Sequence, residues 1–115
     1  MAVEMRPAQA LRLLHDLAHA LVTDGEADLS VRQLAVLLTI YLEPPPHTVR
    51  GLAAKLRVTK PVITRALDTM GKVELVSRKR DPADRRNVVI QRTVKGALYV
   101  EKLGDVVVAK AQGLR

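Results

Sequence analysis

Between Thr48 and Arg92 the apolar residues change their spacing once, from the three-and-four step of a helix to the clustered runs of a strand. No other feature of the chain restricts its fold as much. On the helical side, Leu52, Ala53 and Leu56 form one stripe. Val62, Ile63, Ala66, Leu67 and Met70 form a second, and only a short break at Arg57-Val58 divides them. Thr48 and Thr59 precede the stripes as caps, and Pro61 falls in a first turn, where its missing N–H does little harm. Two short helices joined by so tight a turn predict a helix-turn-helix, with Lys60, Thr64, Arg65, Asp68 and Lys72 opposite the second buried stripe. On the strand side, Leu75-Val76 and Val88-Val89-Ile90 flank a charged loop containing Asp81-Pro82, which predicts a hairpin. Its tip region carries Arg78, Lys79, Arg80, Arg85 and Arg86, so a basic hairpin follows the second helix directly, in the position of a wing.

The flanks read as helices. Leu11, Leu14, Ala18, Leu21 and Val22 recur at helical spacing before a stop at Gly25. Ser30 and Gln33 match a capping box that opens a nearly apolar helix through Leu34, Leu37, Leu38 and Tyr41, so this helix is expected to be central. The Pro44-Pro45-Pro46 run ends it. From Thr93 the helical period returns with Ala97, Leu98, Val100, Leu103, Val107 and Ala111. The predicted fold is mainly α with a small β-hairpin wing, a winged helix-turn-helix with flanking N- and C-terminal helices. A chain of 115 residues suits one domain, 1–115, with a nucleic-acid-binding core and wing at about 48–92. The terminal helices, about 1–25 and 93–115, read either as cover for a three-helix core or as a dimer seam. The seam is preferred, because a dimer sets two recognition helices in successive major grooves.

Charge points to the partner. The whole chain is +7, yet Pro44 to Arg92 holds twelve Lys or Arg against four acids, and the remainder is −1. A positive field confined to one stretch is what phosphate neutralisation requires. With no Phe, no Trp and only Tyr41 and Tyr99, there is little surface on which unpaired bases could stack, which favours duplex DNA over single strands or RNA. Absence of Cys excludes disulfides, zinc-thiolate sites and thiol redox sensing. No apolar run approaches a membrane span or a signal core, so a cytoplasmic location and no membrane partner are expected. No spacing gathers a nucleophile, base and orienter, and no Gly-rich phosphate loop is present, so no enzyme activity and no cofactor are expected.

The stretch from Thr48 to Gly96, read as TVRGLAAKLRVTKPVITRALDTM, then LVSRKRDPADRRNVVI, then TVKG, resembles the MarR family of bacterial regulators. In that family a helix-turn-helix with a Thr-Arg pair leads into a wing bearing an Asp-x-Arg motif. The resemblance implies that Thr64 and Arg65 face the major groove, and that Asp84 and Arg86 belong to a wing reaching the adjacent minor groove. It implies a transcription regulator, dimeric and repressor-like, on a pseudo-palindromic operator, with a small apolar or phenolic effector as a further partner. The chemistry agrees, since Thr can meet a base edge or thymine methyl, and Arg can fork onto guanine or phosphate. Asp84 is expected to hold a neighbouring Arg rather than touch DNA. The expected DNA-binding set is Thr48, Thr59, Lys60, Pro61, Thr64, Arg65, Arg78, Lys79, Arg80, Asp84, Arg85 and Arg86. The other reading is an interaction module that binds an acidic protein, or DNA without sequence preference.

Two positions depart from the family pattern. Glu74 stands where a Gly usually precedes the wing, suggesting a different turn that exploits Gly71. Arg92 replaces a Leu and suggests either an outward phosphate contact or looser packing of the wing on the last helix. His15 and His19 are spaced to share a metal, but with Asp16 expected to point elsewhere they read better as interface or part-exposed residues, and no metal site is expected. Tyr41, Leu38 and Leu14 read equally as an effector cavity or as core.

Overall fold

The computed structural model describes residues 3–25 and 27–115, so the first two residues of the N-terminal helical segment lie outside the described residues. The elements are α1 (Pro7–Thr23), α2 (Val31–Leu42), β1 (His47–Thr48), α3 (Val49–Leu56), α4 (Lys60–Lys72), β2 (Val76–Arg80), β3 (Val88–Arg92) and α5 (Val94–Gln112). Contacts divide the chain into two units. One is Leu29–Val100, and the other joins the residues up to Asp28 with Glu101–Arg115.

Within Leu29–Val100 the predicted caps form α2 and α3. Ser30 Oγ accepts from Gln33 N at 3.1 Å while Gln33 Oε1 accepts from Ser30 N at 2.8 Å, the reciprocal pair of a capping box. Thr48 Oγ1 accepts from Gly51 N at 2.9 Å. Thr59 holds the N-cap position of α4, but its hydroxyl makes no capping bond. Its carbonyl instead takes the amides of Val62 and Ile63. The core is Val36, Leu37 and Ile40 of α2, Leu52 and Ala53 of α3, Ile63, Ala66, Leu67 and Met70 of α4, and Leu75, Val76 and Ile90 at the sheet. The central place expected for α2 is therefore observed.

Both helix ends beside this core finish on residues other than Gly in left-handed conformation. Arg57 (φ 56°) closes α3, and Glu74 (φ 61°) follows α4. At each, the next amide reaches back to the carbonyl five residues earlier, Val58 N to Ala53 O at 3.1 Å and Leu75 N to Met70 O at 3.0 Å. These are Schellman closures, a geometry that favours Gly. The turn suggested around Gly71 is thus corrected: Gly71 stays helical, and Glu74 itself adopts the positive φ.

The hairpin is part of a larger sheet. β3 pairs antiparallel with β2 (Val76↔Arg92, Arg80↔Val88) and on its other edge with β1 (His47↔Ile90, Thr48↔Val89), giving the order β1-β3-β2. A strand of two residues has no period to detect, so it left no trace in the sequence. His47 is buried there, its Nε2 3.1 Å from Glu43 O.

Arg92 neither faces phosphate nor loosens the packing. Its Nε donates to Ile40 O and its Nη2 to Glu43 O, both at 2.9 Å, so it satisfies carbonyls at the C-terminus of α2 with charge of the favourable sign. Its guanidinium also lies 5.8 Å from the Tyr41 ring centroid. The Tyr41 hydroxyl donates to Leu75 O at 2.6 Å and accepts from Thr93 N at 3.0 Å. Thr93 Oγ1 donates to Glu74 O at 2.7 Å and accepts from Gly96 N at 2.8 Å, opening α5. Gly96 sits directly against Tyr41 Oη and the Leu75 carbonyl, where a Cβ has no room. Tyr41 is therefore a clamp between main-chain segments.

In the other unit Ala20 is the only buried hydrophobic residue among those described. Leu11, Leu14 and Val22 of α1 are 67%, 62% and 80% exposed, and with Ala18 they fall within an arc of about 80° on the helix. His15 and His19 stack with ring centroids 6.1 Å apart. Asp16 does not point elsewhere, since its Oδ1 lies 3.1 Å from His15 Nδ1. Among the described residues no group of three or more His, Asp or Glu is placed to hold a metal ion, and no helix is long and apolar enough to cross a membrane.

Candidate nucleic-acid interface

The helical period of α4 sends Ile63, Ala66, Leu67 and Met70 into the core and leaves Lys60, Pro61, Thr64, Arg65, Asp68 and Lys72 exposed. Pro61 in the first turn costs α4 no internal bond. None of Lys60, Arg65 and Lys72 has a carboxylate within ion-pair distance among the described residues. Thr59 is likewise exposed at the head of the helix. Thr48 differs, because it is half-buried and its hydroxyl is committed to Gly51 N.

One ion pair among the described residues joins the wing to α4. Arg78 Nη2 of β2 lies 2.8 Å from Asp68 Oδ1. Arg78, one of the residues of the expected DNA-binding set, thus links hairpin and helix. An exposed pair of this kind contributes at most about 1 kcal/mol.

The tip, 81–87, is held by short-range bonds that a charged sequence can make locally. Asp81 Oδ1 accepts from Ala83 N at 2.9 Å and Asp84 Oδ1 accepts from Arg86 N at 3.1 Å, two Asx turns in succession. Asp81 N donates to Asn87 O, closing the loop at 2.9 Å. Arg80 Nη1 donates to Arg85 O at 2.7 Å. Asp84 Oδ1 also lies 3.4 Å from Arg86 Nε, the contact expected of it, and Arg86 remains 92% exposed. Lys79 and Arg85 extend from the same hairpin, exposed and with no carboxylate partner among the described residues. The acids of the tip thus order the loop while its cations stay available.

Charge follows this division. Leu29–Val100 holds fourteen Lys or Arg against five acids, while the other unit holds five against seven. The fourteen include Arg32, which the stretch starting at Pro44 leaves out. Arg32 lies in the first turn of α2 and, with Gln33, Val62, Arg65 and Ala66, lines a hollow of about 140 Å³. Its nearness to α4 arises from packing and has no sequence signal, since 33 residues separate it from Arg65.

A MarR family model matches residues 29–88. Solved structures of the same fold include MarR, 25% identical over 91% of this chain and 78% of that one, with a TM-score of 0.70. They also include the transcriptional repressor CouR bound to a 23-mer DNA duplex, 25% identical over 91% of this chain and 71% of that one, with a TM-score of 0.73. A variant of S. aureus MepR bound to an oligodeoxyribonucleotide is 21% identical over 95% of this chain and 81% of that one, with a TM-score of 0.78. No curated protein matches the sequence.

Proposed function

The chain belongs to the MarR family of DNA-binding transcription regulators, and on that footing we propose that it acts as a dimeric repressor on a pseudo-palindromic duplex, with α4 in the major groove and the wing in the adjacent minor groove. Thr59 at the N-cap and Lys60, Pro61, Thr64 and Arg65 of α4 meet base edges and phosphates, with Thr48 at the N-cap of α3. Lys79, Arg80, Arg85 and Arg86 serve the wing, while Asp84 and Arg78 hold it in position. The observation that carries the reading is that Lys60, Arg65 and Lys72 of α4 and Lys79 and Arg85 of the wing are exposed with no carboxylate partner among the described residues, while Arg86, though paired with Asp84, stays 92% exposed. A narrow, electronegative minor groove is the natural seat for Arg86.

Dimerisation rests on α1. Leu11, Leu14, Ala18 and Val22 form an exposed apolar stripe, which a second copy would cover. Two copies would place two recognition helices one helical turn of DNA apart.

Selection of bound sites from a random duplex library tests the whole reading. A regulator enriches one symmetric site and prefers it to random duplex by on the order of a thousandfold or more at physiological salt. Arg65→Ala and Arg86→Ala each weaken that binding without changing the unfolding midpoint. Equal affinity for every duplex would instead leave a non-specific interaction module, and normal binding by Arg86→Ala would remove the wing from the interface.

A further inference from the structure

The hollow between α2 and α4 carries chemistry that the charge pattern of α4 and the wing does not include. Its lining includes two cationic residues, Arg32 from α2 and Arg65 from α4, with apolar Val62 and Ala66 and with Gln33 as a further polar group. No acid lines it. Neither guanidinium has a carboxylate partner among the described residues, whereas Arg12, Arg78 and Arg86 each have one. Two like charges lining one hollow without a carboxylate partner repel each other, and an anion bound between them would offset that cost. The planar fork of each Arg suits the paired oxygens of a phosphate.

We propose that Arg32 and Arg65 together grip one backbone phosphate of the bound duplex in this hollow. The inference rests on the DNA-binding reading and sharpens it. Arg32 joins the interface from a helix outside the helix-turn-helix, and Arg65 becomes a positioning contact that carries no sequence information. Choice of base then falls to Lys60, Pro61 and Thr64.

The test uses the full chain, a duplex recovered by selection and a random duplex. Arg32→Gln lowers affinity for both by the same factor and reduces the slope of log affinity against log salt by about one. Arg32→Lys keeps the slope, because its charge remains, and recovers part of the affinity. A scan of single methylphosphonate substitutions then finds one position where removing the phosphate charge weakens wild-type binding, yet leaves Arg32→Gln and Arg65→Gln unaffected. Arg32 is exposed and outside the core, so the thermal midpoint of Arg32→Gln matches the wild type. An unchanged salt slope, a loss confined to the selected site, or no shared phosphate position overturns the inference while leaving the DNA-binding reading intact. A wild-type chain with no affinity for either duplex overturns both.

Discussion

Replacing Gly96 with alanine and Gly71 with alanine makes the same chemical change in two helices, and the structure predicts opposite signs. At either position alanine lowers the backbone entropy of the unfolded chain and favours the helix by roughly 0.5–1 kcal/mol. Gly71 has nothing within 4 Å of a built Cβ, so that gain is expected in full. At Gly96 the new methyl group meets Tyr41 Oη and the Leu75 carbonyl. The hydroxyl can retreat only by giving up its bonds to Leu75 O at 2.6 Å and Thr93 N at 3.0 Å, each contributing about 1 kcal/mol and more if a group is left unsatisfied inside. The carbonyl is main chain and cannot rotate away, so overpacking adds about 1–3 kcal/mol. Offset by the helix gain, the net loss at Gly96 is about 3 kcal/mol, a large share of a total stability on the order of 5–15 kcal/mol. Urea titration followed by helical circular dichroism reads both variants. Tyr41→Phe removes one of the two obstacles, so Gly96→Ala costs less in that background than in the wild type. A Gly96→Ala midpoint equal to wild type, or a Gly71→Ala loss of similar size, would refute the clamp.

Three further outcomes follow from single contacts. Arg92→Met removes two charged hydrogen bonds from the end of α2 and is expected to cost about 2 kcal/mol in urea unfolding, with no change in the salt slope of duplex binding. Glu74→Gly relieves a left-handed non-Gly residue and stabilises by roughly 0.5–1 kcal/mol, because its structural bond comes from the main-chain carbonyl, which Gly retains. Leu14→Asp puts a charge into the exposed α1 stripe. Sedimentation is expected to show monomer in place of the proposed dimer, with operator affinity reduced and the unfolding midpoint of Leu29–Val100 unchanged.

What the chain determined through local sequence is its secondary structure and the character of its basic surface. Ser30 with Gln33, Thr48 before α3, Pro61 in the first turn of α4 and the change of period at Leu75 all act between residues three or four apart, or along one strand. Such signals can be read without knowing what packs against what, and so can the Asx turns by which Asp81 and Asp84 order the wing tip. Tertiary structure decided the rest. Arg92 reaches carbonyls 49 and 52 residues away, and a long flexible cation looks the same in sequence whether it meets solvent, phosphate or a helix end. Glu74 takes a conformation that disfavours it because the closure of α4 and the bond from Thr93 require it there. β1 exists only because β3 offers it an edge, and Arg32 stands beside Arg65 only because α2 packs on α4. Each depends on distant segments brought together by burial of a shared core, a free energy spread over a dozen side chains that no local pattern records.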